Sequence, residues 1–289
     1  MYIGAHVTTA GGLGNAVKKG NEIGAEILQI FVSSPQSFRT FNRSDDEIVM
    51  FKKMYQSSRF RGLFFHGIYL INLASSNARL VNLSKDSLTY YLKMGDKLGA
   101  EGTVVHLGSY GYKVNTDIGI TDSERVVLDK VAANIIEILK ATPKSQGLII
   151  ENAAGRSKIG GSLDDLVYLR QKVNSVRLKF CLDTQHLFAS GVDVSDYEFF
   201  EEYLIEFDRR IGIDKLAVIH ANDSKTELGS EHDRHENIGE GKIGRDGFTN
   251  ILRQSLLQEK PIIIETPGFD NNGPDRENLD RLKKLYANK

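Results

Sequence analysis

Eight short apolar runs, each followed by a polar loop and an amphipathic helical stretch, predict an α/β TIM (β/α)8 barrel, a single domain over residues 1–289. Two further observations favour this over a doubly wound open sheet. The length suits a barrel of alternating strands and helices, which typically takes about 250 residues. No glycine-rich nucleotide fingerprint follows the first run, because Gly11-Gly12-Leu13-Gly14 lacks the required spacing.

Taken in order, Tyr2–Val7 is the first run, and Gly11-Gly12 leads into a helix with Leu13, Ala16, Val17 and Ile23 on its inner face. Glu26–Val32 is the second, followed by the loop Ser33–Arg39 and a helix over Asp45–Tyr55 that directs Ile48, Val49 and Phe51 to the core. Gly62–Phe65 ends at His66, and the next helix begins near Ser84 and packs through Leu88, Tyr91, Leu92 and Leu98. Gly102–Val105 ends at His106, and Asp122–Lys140 carries Val127, Val131, Ile135 and Leu139 as one stripe. Leu148–Ile150 ends at Glu151; the helix after it, Leu163–Lys172, has Ser162 as N-cap and Asp165 in the capping-box position. Leu178–Leu182 ends at Asp183, and a helix over Tyr197–Ile211 follows. Leu216–Ile219 ends at His220, and a polar stretch with Asp223, His232, Asp233, His235 and the glycines of Ile238-Gly239-Glu240-Gly241 leads to a helix over Arg245–Leu257. Pro261–Ile264 ends at Glu265, and Arg276–Tyr286 is the last helix.

Net charge is −1, with 37 basic and 38 acidic residues, which excludes a generally basic polyanion binder but not a local positive patch. One cysteine, Cys181, excludes an intramolecular disulfide and fits a reducing compartment. It lies within an apolar run and reads as inert core. No apolar run approaches the ~20 residues of a membrane span. The N-terminus lacks a signal-peptide layout, so a cytoplasmic chain is expected.

Barrel enzymes carry their chemistry at the C-terminal strand ends. Here strands three to eight end on His66, His106, Glu151, Asp183, His220 and Glu265, and the following loops add His186, Asp233 and His235. Read singly, a His or Glu at a strand end is more often a cap or hydrogen-bond partner. Six consecutive strands ending this way are not explained by chance, and in a closed barrel they ring one mouth. Crowded carboxylates would repel unless cations neutralise them, and nine donors exceed what one ion uses. The mixed nitrogen and oxygen set, without thiolate, fits two or three zinc or manganese ions sharing a carboxylate. Such clusters suit in-line displacement at phosphorus. His6, at the same mouth, is expected to support the ligands rather than join them. Loops at this end add Gln36 as a polar contact group, and Arg39, Arg43, Arg156, Lys158, Lys225, Arg234, Lys242 and Arg245 as positive charge suited to a polyanion. The tip Ile68-Tyr69-Leu70-Ile71 reads either as core or as a wedge for a base stack.

Several stretches together carry a family resemblance: Tyr2–Val7 with Ala10–Leu13, Tyr69–Leu73, Val105–Ser109, Ile150–Gly155, Cys181–His186, His220–Lys225, Asp233–His235 with Gly239–Gly241, and Ile264–Pro267. In order and spacing the chain resembles the endonuclease IV family of abasic-site endonucleases over essentially its whole length. The resemblance implies a TIM barrel with three zinc ions, manganese being an alternative at one position. His66, His106 and Glu151 match the first zinc's ligands. Glu151 would bridge to a second held by Asp183, His220 and Glu265, and His186, Asp233 and His235 would hold the third. Glu151 would also orient the nucleophile, which makes it the catalytic carboxylate. Tyr69 and Leu70 match the loop that enters the minor groove, and Gln36 matches a position whose side chain enters the stack; from their charge and place in the loop after strand seven, Lys225 and Arg234 are expected to contact phosphate. The implied substrate is double-stranded DNA containing an abasic site, and the implied protein is a monomer. Gly67, Gln36 and Phe38 depart from residues common in the family, and none of them is a ligand position. A sugar isomerase or epimerase on a similar barrel is the enzyme alternative, and the third-ion set argues against it. A non-catalytic zinc or DNA-binding module is the alternative of a different class.

Overall fold

The computed structural model describes residues 1–114 and 119–288. Eight parallel strands close into a barrel: β1 (Ile3–His6), β2 (Leu28–Ile30), β3 (Leu63–His66), β4 (Gly102–Val105), β5 (Leu148–Glu151), β6 (Leu178–Asp183), β7 (Leu216–His220) and β10 (Ile262–Ile264). The ring closes where β1 pairs with both β2 and β10. An antiparallel ribbon of β8 (Asp223–Ser224) and β9 (His235–Glu236) stands apart from the barrel in the loop after β7. Helices follow the strands: α1 (Leu13–Ile23), α2 (Asp45–Gln56), α3 (Ala78–Leu98), α4 (Asp122–Lys140), α5 (Leu163–Val173), α6 (Thr184–Ala189), α7 (Tyr197–Arg210), α8 (Gly244–Arg253) and α9 (Arg276–Ala287). None of the described helices is long and apolar enough to cross a membrane.

Two cores hold this together. The larger lies between the sheet and its helices and takes outward strand residues such as Phe65, Val105, Ile150, Phe180 and Ile264 against helix residues such as Leu88, Ile135, Leu166 and Phe248. The smaller plugs the barrel: Ile27, Phe64, Val104, Ile149, Cys181, Val218 and Ile263. Strand side chains alternate faces, so each plug residue has an inward neighbour two positions on. Those neighbours are Gln29, His66, His106, Glu151, Asp183, His220 and Glu265, a polar layer resting on an apolar floor.

The structure departs from the expected elements in these respects. Val49 is 64 % exposed, so α2 buries Ile48 and Phe51 only. Helix α3 starts at Ala78, where Asn77 accepts the N–H groups of Arg79 and Leu80. Ser84, the expected start, is buried one turn and more inside; its Oγ donates to Leu80 O and accepts Asn72 N, tying down the loop after β3. Helix α6 has no counterpart among the expected elements. Helix α8 ends at Arg253, and a 3-10 turn covers Ser255–Leu257.

Candidate metal centre

The polar layer gathers the predicted donors at one end of the barrel. Glu151 is at its centre, fully buried: its Oε2 lies 3.1 Å from His66 Nε2 and 3.3 Å from His106 Nε2, and its Oε1 lies 2.9 Å from His220 Nδ1. His220 Nδ1 also faces Glu265 Oε2 at 3.4 Å and Asp183 Oδ2 at 3.9 Å. Asp233 Oδ1 approaches Nε2 of both His186 (3.3 Å) and His235 (3.4 Å). Ligand-type atoms fall within 4.8 Å of one another in the sets His66/His106/Glu151, Glu151/Asp183/His220/Glu265 and Asp183/His186/His235. The first two are the predicted sets. In the third, Asp183 takes a place beside the expected pair of histidines, with Asp233 completing the group from the ribbon loop.

Local sequence explains the aim of these groups. Asp183 ends β6 and caps α6 at once, accepting His186 N at 2.9 Å. That turn begins with no intervening loop and brings His186 back over the mouth. Asp223, at the start of β8, is buried and accepts the N–H groups of Ser224, Gly239, Gly241, Ile243 and Gly244. It is therefore a scaffold for the ribbon, not a ligand. A Cβ at Gly241 would sit 2.4 Å from Ser224 O, which explains the glycine there. His232 is exposed on the ribbon loop and joins none of the three sets.

The electrostatics fit divalent cations. Burial pushes His106 down to about 4, leaving a neutral imidazole with a free lone pair at neutral pH. Burial works to raise Glu151, but His106, His220 and His186 outweigh it and hold the carboxyl well below its usual range. Burial raises Asp183, against the pull of His186 and His235. The Nε2 atoms of His186 and His235 are buried without a hydrogen-bond partner, which native interiors rarely tolerate. A cation between them and Asp233 would satisfy both. Cys181 lies within reach of Glu151 and His220, but burial pushes its thiol up to about 12, so it stays protonated.

A family model for the xylose isomerase-like TIM barrel matches residues 17–285. The protein named "Probable endonuclease 4" from Halothermothrix orenii is 37% identical over 286 residues, covering 98% of this chain and 100% of its own. Its namesake from Haloarcula marismortui is 35% identical, with 99% of each chain covered. The chain belongs to the endonuclease IV family. The crystal structure of endonuclease IV from Thermus thermophilus superposes with a TM-score of 0.85 at 29% identity, covering 100% of both chains.

The mouth of the barrel is a cavity of about 930 Å³. Its wall includes His6, His66, His106, His186, Asp233, His235 and Glu265, with Tyr69 and Arg43 further out. The apolar tip after β3 splits its roles: Ile68 and Ile71 are core, while Tyr69 is 65 % and Leu70 41 % exposed. Tyr69 N donates to Pro35 O (3.1 Å), so Gln36, exposed on the loop after β2, stands beside this tip. Lys225 and Arg234 are exposed and adjacent on the ribbon, joined by a 2.9 Å backbone bond.

Three residues with supporting contacts were not singled out for any role in the sequence. Asn152 Oδ1 accepts Asp183 N (2.6 Å), and its carbonyl faces His186 Nδ1 (3.0 Å). Asn222 donates to Asp183 Oδ2 (2.6 Å) and accepts Glu265 N (2.7 Å). In each case the asparagine lies within two positions of a strand-end donor, and that position is the signal for it. Gln29, inside an apolar run, has no such marker.

Proposed function

We propose that this protein is a zinc-dependent endonuclease of base-excision repair. It cuts double-stranded DNA 5′ to an abasic site, leaving a 3′-hydroxyl and a 5′-deoxyribose phosphate, and it trims blocked 3′ ends. The observation that carries the reading is the convergence of nine donor groups, Glu151 at their centre, at the floor of a cavity flanked by exposed Tyr69 and Leu70. The full-length likeness to endonuclease 4 proteins supports it.

His66, His106 and Glu151 would hold one zinc ion; Glu151, Asp183, His220 and Glu265 a second; His186, Asp233 and His235 a third. Manganese is a candidate at one position. When bound, such ions neutralise phosphate oxygens, lower the pKa of water and stabilise the leaving alkoxide. Glu151 reaches both of the first two sets, and its carboxylate orients the attacking water. No protein general acid is assigned. Tyr69 and Leu70 enter the minor groove beside the lesion, and Gln36 fills the vacated stack. Lys225 and Arg234 hold phosphates. Selectivity follows from cost: a nucleotide without a base has no stacking or pairing to lose on extrusion. The enzyme acts as a monomer in the cytoplasm, at the nucleoid.

The test is incision of a duplex oligonucleotide bearing one abasic site, with both ends of the nick mapped. A zinc-replete preparation should give a single cut 5′ to the lesion with a 3′-hydroxyl. No cut, or a product cleaved on the 3′ side by elimination, would overturn the reading.

A further inference from the structure

The histidines of the centre are not anchored alike. His66 Nδ1 faces Gly67 O (2.8 Å), His186 Nδ1 faces Asn152 O (3.0 Å) and His235 Nδ1 faces Glu265 O (3.3 Å), so each turns Nε2 to the centre. His220 is reversed. Its Nδ1 faces Glu151, Glu265 and Asp183, and its Nε2 lies 2.9 Å from Gln29 Oε1. The anchor here is a side-chain amide instead of a backbone carbonyl.

The orientation of that amide is chemically determined. Gln29 Nε2 is 2.7 Å from Glu265 Oε1, and a carboxylate oxygen only accepts, so the nitrogen must be on that side. Gln29 Oε1 therefore accepts from His220, which keeps a proton on Nε2 and makes Nδ1, turned to the carboxylates, the nitrogen that would offer a lone pair to an ion. Glu265 Oε1 also faces His6 Nδ1 at 2.7 Å. With two donors on Oε1, Glu265 has Oε2 free, and that is the oxygen facing His220 Nδ1. Gln29 is fully buried, and these contacts absorb both ends of its amide.

We propose that Gln29, seconded by His6, is a positioning residue for the second ion. One amide selects the tautomer of His220 and the free oxygen of Glu265, two of that ion's four donors. This rests on the zinc reading above. Support of this kind is worth about 10–100-fold in metal affinity.

The test compares the zinc-loaded parent with Gln29→Leu and Gln29→Glu by elemental analysis after dialysis against graded chelator, with circular dichroism to check the fold. The parent should retain three zinc ions. Gln29→Leu should lose one ion at about 10–100-fold lower chelator and keep the other two. Gln29→Glu still accepts the His220 proton but repels Glu265, so it should lose the same ion. Nitrogen-15 NMR of the parent's imidazoles supplies a readout that needs no variant. It should show one histidine metallated at Nδ1 and protonated at Nε2, and that signal pattern should be missing from Gln29→Leu. Equal zinc retention in all three proteins, or a parent in which no histidine binds through Nδ1, would overturn the role of Gln29. A parent that binds no zinc would overturn the metal reading itself and this inference with it.

Discussion

Asp165 shows how far a side chain can depart from its apparent role in the sequence. Its backbone N–H donates to the Ser162 cap (3.2 Å), but its carboxylate turns away to accept Gly160 N and the Tyr110 hydroxyl. Burial pushes it up to about 6, against those hydrogen bonds. The folded state thus holds the proton more tightly than the unfolded chain. Its contribution is full below pH ~4 and is lost as pH rises through about 6, a change of roughly 2–3 kcal/mol. Asp165→Asn should remove that dependence. Urea unfolding at pH 4.5 and 7.5 should show the variant gaining on the parent by about 2 kcal/mol at the higher pH, since part of the change is complete by pH 4.5, and an unchanged difference would refute it. His235→Ala bears on the centre itself. It should lose one zinc and lower turnover by about 10²–10⁴-fold while the fold persists. Unchanged activity would remove the third set from the mechanism. The donors were readable because His, Asp and Glu at strand ends are conspicuous by type. Gln29 was not, because a neutral amide within Glu26–Val32 looks like one tolerated polar residue, and only barrel closure brings it to His220 and Glu265.

At the scale of elements, strand alternation does most of the work. Each strand that places an apolar residue in the barrel plug places a polar one two steps later at the mouth, so fold and site share one period. This is why the strands were legible. Helix α6 was hidden because Asp183 is strand end, candidate ligand and cap together, leaving no loop to announce a helix. The start of α3 is expected near Ser84, which lies inside the helix, whereas Asn77 is the cap; Ser84 and Asn77 are both residue types that suit a helix start. Two predictions belong to loops. Replacing Tyr69 and Leu70 by Ala should weaken binding to lesion DNA by about 1–3 kcal/mol, judged from base–aromatic stacking, and leave zinc content unchanged. Fluorescence anisotropy with an abasic duplex measures this, and unaltered affinity would end the wedge assignment. Asp223→Ala would strand five buried or half-buried N–H groups and loosen the ribbon that carries Asp233 and His235. It should cost roughly 3 kcal/mol or more of stability and release the third ion first. Retention of all zinc with parental stability would show that the ribbon has another anchor.

At the scale of the molecule, closure of the barrel turns residues scattered from His66 to Glu265 into neighbours. An open sheet would spread the same strand ends along a line. With the chain near-neutral overall, the proposed phosphate contacts of Lys225 and Arg234 rest on local charge, so lesion binding should weaken as salt rises. The pooled metal centre is tested most directly by anomalous scattering at the zinc edge from crystals of the zinc-loaded protein. It should show three peaks, spaced about 3.5–4 Å apart in the bridged pair, with Glu151 touching two of them. A single peak, or peaks lying away from Glu151, would contradict it.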